Sequence, residues 1–155
     1  MSDPILYKAQ IREVQFGENV KVVEPVNLYG CSIGDNSFIG PFCEVQKNVI
    51  IGKNTKVQSH SFICELVTIG NDCFIGHGVM FINDLFIDGK PAMSDQSKWK
   101  STYIGNNVSI GSNSTILPVK ICDGAVIGAG SVVTKDITTK GVYAGNPAKK
   151  IKTLA

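Results

Sequence analysis

Aliphatic or aromatic residues recur every six positions through the middle of the chain, at Ile33, Ile39, Val45, Ile51, Val57, Ile63, Ile69, Ile75 and Phe81. Glycine follows several of them (Gly34, Gly40, Gly52, Gly70, Gly76). A small or β-branched residue stands four places after each of the first eight (Ser37, Cys43, Val49, Thr55, Ser61, Val67, Cys73, Val79). The pattern resumes at Ile104-Gly105, Ile110-Gly111 and Ile116, slips by one residue, and continues at Ile121, Ile127-Gly128 and Val133. A period of six is neither that of a helix nor that of a long alternating strand. It fits short strands joined by tight turns, with the aliphatic and the small residue both pointing inward. Three hexapeptides then make one triangular coil, and stacked coils pair as parallel strands about 4.8 Å apart. Asn36, Asn54, Asn71, Asn107 and Asn113 fall at the corners, where asparagine tolerates the left-handed backbone that a tight turn needs. The stretch Ile11 to Leu28 fits less well, with Phe16-Gly17 and Val20 as a degenerate first repeat.

The pattern therefore predicts one all-β domain over residues 1–155: a parallel β-helix, a triangular prism of hexapeptide repeats. The repeat breaks between Asp84 and Tyr103, so about residues 85–103 should protrude as a loop. That loop carries the only tryptophan, Trp99. It is either a surface excursion that Trp99 pins to its own coil, or an arm that reaches a neighbouring subunit or closes over a ligand. A solenoid needs capped ends, and about residues 141–155, with Lys149-Lys150, are the candidate cap at one of them.

Composition narrows the classes. A length of 155 residues suits one domain. The formal net charge of +2 makes no case for nucleic-acid binding. No apolar run approaches the roughly 20 residues that span a bilayer, and the N-terminus lacks a signal-peptide pattern. A cytoplasmic protein without membrane or nucleic-acid partners is expected. The five cysteines (Cys31, Cys43, Cys64, Cys73, Cys122) include no CxxC, so they read as small thiols in a reducing compartment, and no metal is expected.

Candidate chemistry gathers in the middle third. The chain has two histidines, His60 and His77, lying 17 residues apart, one short of a full coil, so adjacent coils would bring them close. Each is either a proton acceptor or substrate-orienting group, or a hydrogen-bonded turn residue. Glu65 and Asn83 are 18 residues apart and should stack, both facing outward. Asn83-Asp84 ends the regular repeat where the insertion begins. An amide oxygen there would accept a hydrogen bond from an amine, and carboxylates beside it would attract the amine as a cation. Against this stands an asparagine ladder that merely caps backbone turns.

The tandem (Leu/Ile/Val)-Gly-x-x-(small)-x units resemble the hexapeptide signature of left-handed β-helix acyltransferases over about residues 11 to 151. The resemblance implies a left-handed coil, a homotrimer with active sites at subunit interfaces, and an acyl-coenzyme A donor. The tail Tyr143-Ala144-Gly145-Asn146-Pro147-Ala148-Lys149-Lys150-Ile151 is similar to the ending of coenzyme A-dependent members. On that likeness, Gly111, Ala129, Lys135, Asn146 and Lys149 are candidates for the cofactor. Lys135, Lys149 and Lys150 would serve as point charges for its phosphates, unless they only solubilise the open end. The runs from Ile39 to Gln46 and Val57 to Phe62, and above all Phe74-Ile75-Gly76-His77-Gly78-Val79-Met80-Phe81-Ile82-Asn83-Asp84, resemble nucleotide-sugar N-acetyltransferases. Those enzymes acetylate a 3-amino group on UDP- or dTDP-linked sugars for surface polysaccharide such as lipopolysaccharide O-antigen. The resemblance implies acetyl-CoA in a groove between subunits and Asn83 near the acceptor amine; with the reading of the residues above, His77 and His60 are further catalytic candidates, and Glu65, Asp84, Gln58 and Glu44 are candidates to bind the acceptor. Acyltransferases for serine, aminoglycosides or other small acceptors share the fold and remain alternatives. A γ-type carbonic anhydrase would want three histidines. An ice-binding solenoid would show outward threonine ladders where this chain has Lys47, Lys53, Lys56, Glu65 and Asp72.

Overall fold

The computed structural model describes residues 3–93 and 95–154, and over them the chain winds into a left-handed parallel β-helix with three flat faces. The first face stacks β1 (Ile11–Arg12), β4 (Asn27–Tyr29), β7 (Glu44–Val45), β10 (Phe62–Ile63), β13 (Met80–Phe81), β16 (Thr115–Ile116) and β19 (Val132–Val133). The second stacks β2 (Gln15–Phe16), β5 (Ser32–Ile33), β8 (Ile50–Ile51), β11 (Val67–Ile69), β14 (Thr102–Ile104) and β17 (Lys120–Ile121). The third stacks β3 (Lys21–Val22), β6 (Phe38–Ile39), β9 (Lys56–Val57), β12 (Phe74–Ile75), β15 (Ser109–Ile110), β18 (Val126–Ile127) and β20 (Gly141–Ala144). All these neighbours pair in parallel. The exception is β21 (Lys149–Thr153), which folds back antiparallel on β20 beyond the last coil.

Each strand before β20 is two or three residues of coil edge, and one aliphatic or aromatic side chain on each of most strands faces in and packs on its equivalents above and below. Ile33, Ile51, Ile69, Ile104 and Ile121 form one buried column, Ile39, Val57, Ile75, Ile110 and Ile127 a second, and Leu28, Val45, Ile63, Phe81, Ile116 and Val133 a third. Burying each such side chain stabilises the fold by about 1.5–3 kcal/mol. The small residues complete the interior at the corners, and their chemistry has a reason. Thr55 Oγ1 donates to the carbonyl of Gly70 at 2.9 Å, Ser61 Oγ to that of Gly76 at 2.9 Å and Ser37 Oγ to that of Gly52 at 2.9 Å, each one coil on. Cys43 and Cys73 do the same with their thiols, to the carbonyls of Gln58 and Gly105 at 3.1 Å. A corner carbonyl turned inward would otherwise lack a partner, and burying it so is costly.

The glycine after the aliphatic residue is set by close approach. A Cβ on Gly76 would lie 2.7 Å from the Ser112 nitrogen of the next coil, where no side chain fits. The left-handed corner positions are occupied by Asn36, Asn54, Asn107 and Asn113, as the sequence suggests. Asn71 differs: the residue with positive φ is its neighbour Asp72, at 57°. Asn71 instead accepts the Lys53 N–H through Oδ1 at 2.8 Å, in a polar spine that continues through Asn106 and Asp123.

The spacing between inward residues is six along the whole chain at two of the three corners, second-to-third and third-to-first. Every irregularity falls at the first-to-second corner. There the step is five from Leu28 to Ile33 and again from Ile116 to Ile121, and there the insertion leaves the prism between Phe81 and Ile104. The insertion ends slightly earlier than its sequence suggests: Thr102 and Tyr103 already belong to β14, opposite Val67 and Thr68. Phe16 pairs in register on Ile33, so the irregular N-terminal stretch is a true first coil.

Burial pushes the Cys31 thiol up to about 11 and the Cys64 thiol up to about 12. Both stay protonated and unreactive at pH 8, because the thiolate is the nucleophile. Of the five cysteines only Cys122 is part-exposed. We expect an aromatic disulfide reagent at pH 8 to titrate at most one thiol in the native protein and all five after unfolding. Two or more fast native thiols would mean that the corner columns open.

Candidate active site

The candidate residues divide between two edges of the prism. At the third-to-first corner, His60 and His77 lie on successive coils but in different columns. His60 stacks on Phe42 of the coil below, ring centroids 4.9 Å apart, and has positive φ (63°). His77 stands over Ser59, with Ser59 Oγ and His77 Nδ1 3.0 Å apart. Each ring thus has its own partner, one stacked and one hydrogen-bonded, because a 17-residue offset shifts the column by one place. With Nδ1 engaged by Ser59, the Nε2 of exposed His77 is the nitrogen left to meet a ligand. Gln58 enters the same corner, and Gly111 and Ala129 lie on it in the coils above.

The first-to-second corner holds the carboxylates and Asn83. Glu44 faces out from β7 and accepts from Asn27 Nδ2 at 3.1 Å and from Gln46 Nε2 at 2.9 Å. Arg12 lies 4.6 Å over the Tyr29 ring and reaches Asn27 Oδ1 at 3.3 Å. Burial, and the charges of Glu44 and then Glu65, push the Tyr29 hydroxyl above its ordinary value.

Glu65 is not outward and free as the repeat position implied; it is 7% exposed. Gln46 reaches its N–H at 3.3 Å, and Lys47, the residue one coil below, approaches Oε1 only to 3.7 Å. A buried carboxylate with one long ion pair still favours a second cation. Asn83 stacks on Glu65 as expected, through Nδ2 donating to the Glu65 carbonyl at 3.3 Å. Its own carbonyl accepts from Lys100 N at 2.9 Å, which closes the root of the insertion. The amide orientation so fixed leaves Oδ1 as the acceptor atom.

Asp84 is engaged by the loop. Oδ1 accepts the Phe86 N–H at 2.9 Å and Oδ2 the Ala92 N–H at 2.7 Å, so this carboxylate draws the start of the loop and its turn together. The loop is clipped again farther out. Lys98 Nζ pairs with Asp88 at 2.6 Å and with Asp95 at 3.5 Å, flanking the short 3₁₀ turn Gln96–Lys98. Hydrogen bonds from Ser97, with the Lys98 charge, hold the Asp95 carboxyl below its usual range, so the Asp95 arm of the clip persists as pH falls until that lowered range is crossed. Trp99 is half-buried at its end.

Lys135, Asn146 and Lys149 are exposed at the C-terminal end. Asn146 sits in the turn between β20 and β21, next to Gly145, whose N–H meets Ser131 Oγ at 3.2 Å above the histidine corner. Lys135 follows β19 at the other edge. One prism thus collects Gln58, His60, His77, Gly111 and Ala129 on one edge, and Glu44, Glu65, Asn83 and Asp84 on or beside another, with the first face between them. Ser59, Tyr29 and Gln46 were not legible as site residues. Only the coil offset, read column by column, puts Ser59 under His77. Among the described residues, no cluster of histidine, cysteine and carboxylate side chains could hold a metal ion, and no helix is long and apolar enough to cross a membrane.

Comparison with known proteins agrees with the repeat. Residues 30–65 match the family described as bacterial transferase hexapeptide (six repeats), and residues 102–135 match hexapeptide repeat of succinyl-transferase. Among curated proteins, a chloramphenicol acetyltransferase of Klebsiella aerogenes is 46% identical over 72 residues, which are 43% of this chain and 34% of that protein. The galactoside O-acetyltransferase of Escherichia coli K12 is 45% identical over 76 residues, 45% of this chain and 37% of that protein. The chain thus spans about a third of the length of these relatives. Among solved structures, a mutant of AntD, an N-acyltransferase of Bacillus cereus in complex with dTDP-4-amino-4,6-dideoxyglucose and coenzyme A, superposes with TM-score 0.78 at 25% identity, covering 92% of this chain and 84% of that one. A hexapeptide-repeat acetyltransferase of Vibrio cholerae complexed with acetyl-coenzyme A gives 0.64 at 25% identity, covering 81% and 72%.

We expect Asp84→Ala to free the loop: trypsin should cut after Lys98 or Lys100 several-fold faster than in the unaltered protein, with little change in the thermal midpoint of the prism. Equal cleavage rates would show that the Lys98 clip alone holds the loop.

Proposed function

We propose, from the premise that this chain belongs to the hexapeptide-repeat transferase family, that it transfers acetyl from acetyl-CoA to the amino group of a nucleotide-linked amino sugar. The observation that carries this reading is the root of the insertion. Asn83 donates through Nδ2 to the Glu65 main-chain carbonyl, one coil below, which leaves Oδ1 as an acceptor on the same corner as the buried Glu65 side chain, whose one recorded cation, Lys47, stands 3.7 Å away. A carboxylate can accept from a hydroxyl as well, but it adds charge attraction for an amine, which arrives as an ammonium ion. The fold match to an N-acyltransferase bound to a dTDP-amino sugar and coenzyme A supports the same acceptor class.

The reaction asks three things of the protein. The acceptor must be held as a free amine with its lone pair on the thioester carbon, the negative charge that grows on the carbonyl oxygen must meet donors, and the proton released as the N–C bond forms and the C–S bond breaks must be taken up. Asn83 Oδ1 accepts one amine N–H and so directs the lone pair away from itself. Corner N–H groups, fixed by the stacking of coils, serve the oxygen without reorganising. His77 Nε2, with Nδ1 tied to Ser59, suits the proton.

The histidine edge and the asparagine edge belong to different corners, so a site that uses both is completed by a second copy. This favours a trimer, in which the closed symmetry lets each edge meet the next subunit's other edge. Gly111, Ala129, Lys135, Asn146 and Lys149 would line the run of coenzyme A toward the C-terminal end, and acetyl-CoA is consumed as a co-substrate with no metal. Gln58 and Glu44 would flank the sugar. A second reading, an acyltransferase for a different small acceptor, has its own support in the likeness to chloramphenicol and galactoside acetyltransferases.

A thiol-release assay on UDP- and dTDP-linked 3-amino and 4-amino sugars separates the two. Turnover on at least one such sugar is expected. No turnover on any of them, with activity on an amino acid, an aminoglycoside or a simple galactoside, would replace the acceptor assignment. Asn83→Ala should lower kcat about a hundredfold, the usual cost of a misplaced reacting group, with an unchanged oligomer. Unaltered kcat in that variant would remove Asn83 from the site.

A further inference from the structure

A cavity lies on the third face in the first three coils and reaches the histidine edge at Gln58. Its volume is about 570 Å³, within the range of small-molecule sites. Its floor is one column of outward side chains on successive coils, Lys21, Phe38 and Lys56, held in register by the pairing of β3, β6 and β9. Asn19 and Asn36, joined by a 3.4 Å hydrogen bond, wall it at one corner, and Gln58 walls it at the other.

Among the described residues, ion pairs engage Lys53 with Asp35 at 2.7 Å, Lys98 with Asp88 at 2.6 Å and Lys47 with Glu65 at 3.7 Å. Among the described residues, Lys21 and Lys56 have no ion-pair partner within salt-bridge distance, and they bracket a half-buried aromatic ring. Two coils separate them, about 10 Å of backbone. Their flexible four-carbon stems reach across that span to a shared anion. An aromatic platform between two free ammonium groups, with carboxamide donors and acceptors at the rim, fits a ligand with a flat ring, a hydrogen-bonding ring edge and a pair of phosphates.

We propose that this cavity is a nucleoside-diphosphate subsite, in which the base lies on Phe38, its edge meets Asn36 or Gln58, and the diphosphate is held by Lys21 and Lys56. The inference rests on the acceptor reading above and deepens it by placing the nucleotide. Coenzyme A also carries a nucleoside diphosphate. Position favours the acceptor's: the cavity is in the first three coils, whereas Lys135, Lys149 and Lys150 mark the opposite end. Gln58 runs directly into Ser59 and His60, so a sugar attached to the diphosphate and passing Gln58 arrives at the edge where His77 stands.

Calorimetric titration of the full chain with UDP, dTDP, coenzyme A and inorganic pyrophosphate tests this. Lys21→Gln with Lys56→Gln should weaken UDP and dTDP together by roughly a hundredfold, about tenfold for each charged hydrogen bond lost, and should leave coenzyme A unchanged. Phe38→Leu should weaken the nucleotides about tenfold through lost stacking and leave pyrophosphate as it was. Lys120→Gln, an equal charge change on the second face, should alter none of them. All four positions face solvent on the prism surface, and matching circular dichroism melts verify the folding of each variant. Nucleotide binding that survives the double lysine change overturns the subsite and leaves the acceptor reading standing. Loss of coenzyme A affinity in that variant also overturns it, by assigning the cavity to the donor. Failure of the unaltered protein to bind either nucleotide overturns both.

Discussion

One coil can lie on the next only where the backbone at each corner leaves no room for a side chain between them, and this contact constrains the rest of the molecule. The glycines at the corners sit so close to the coil above that a Cβ would meet its backbone at about the distance of a covalent neighbour's shell, as at Gly76. The inward carbonyls this creates are answered by Ser37, Thr55, Ser61, Cys43 and Cys73, which explains why small residues with a donor recur at those positions. The aliphatic columns then fill what remains. Burial supplies most of the stabilisation; the corner contact decides which sequences can have it.

That constraint leaves freedom at one corner. Two corners hold their six-residue step through every coil, while the first-to-second corner shortens to five and also releases the insertion. Variation is tolerated there because a turn that bulges into solvent does not have to stack. The same corner carries the polar groups with the most restricted surroundings: buried Glu65, Asn83 fixed upon it, and Asp84 fastening the loop. The histidine edge is its opposite. It is regular and packed, with His60 on Phe42 and His77 on Ser59. One edge brings adaptable reach and the other fixed geometry, and bringing them together between copies would join both properties in one cleft.

How far a sequence discloses such a molecule depends on what repeats. The columns from Ile33 to Phe81 were legible because every coil imposes the same inward requirement, and the break after Asp84 was legible because that requirement stops. What the spacing leaves out has one cause. The repeat gives the position of a side chain around the coil, and its neighbours must be found in the coils above and below. Glu65 takes an outward position in the hexapeptide, yet Gln46 and Lys47 from below and the loop root above enclose it. Asp84 is legible as a carboxylate at the break in the repeat, but its engagement by two N–H groups of the loop, one on each oxygen, is not. His60 and His77 lie on adjacent coils as their spacing implies, and one residue of offset gives them different partners, Phe42 and Ser59. Asn71 carries the polar spine, and its neighbour Asp72 takes the left-handed turn, a choice that nothing in their order decides.

Specificity on this scaffold follows from the shortness of its strands. A two-residue strand offers one outward side chain per face per coil, so a ligand lying along a face reads a column of single residues and not a contiguous stretch of chain. Lys21, Phe38 and Lys56 are scattered over 36 residues of sequence and adjacent in space. Local identity therefore says much about the inward lattice and little about the ligand. Relatives about 45% identical over some 75 residues can be named for chloramphenicol or for galactosides while sharing the corners that hold the prism together. Changing an acceptor requires only a few outward positions spaced a coil apart, none of which bears on stacking. The corner contact that restricts the interior so tightly is what leaves the faces free to differ.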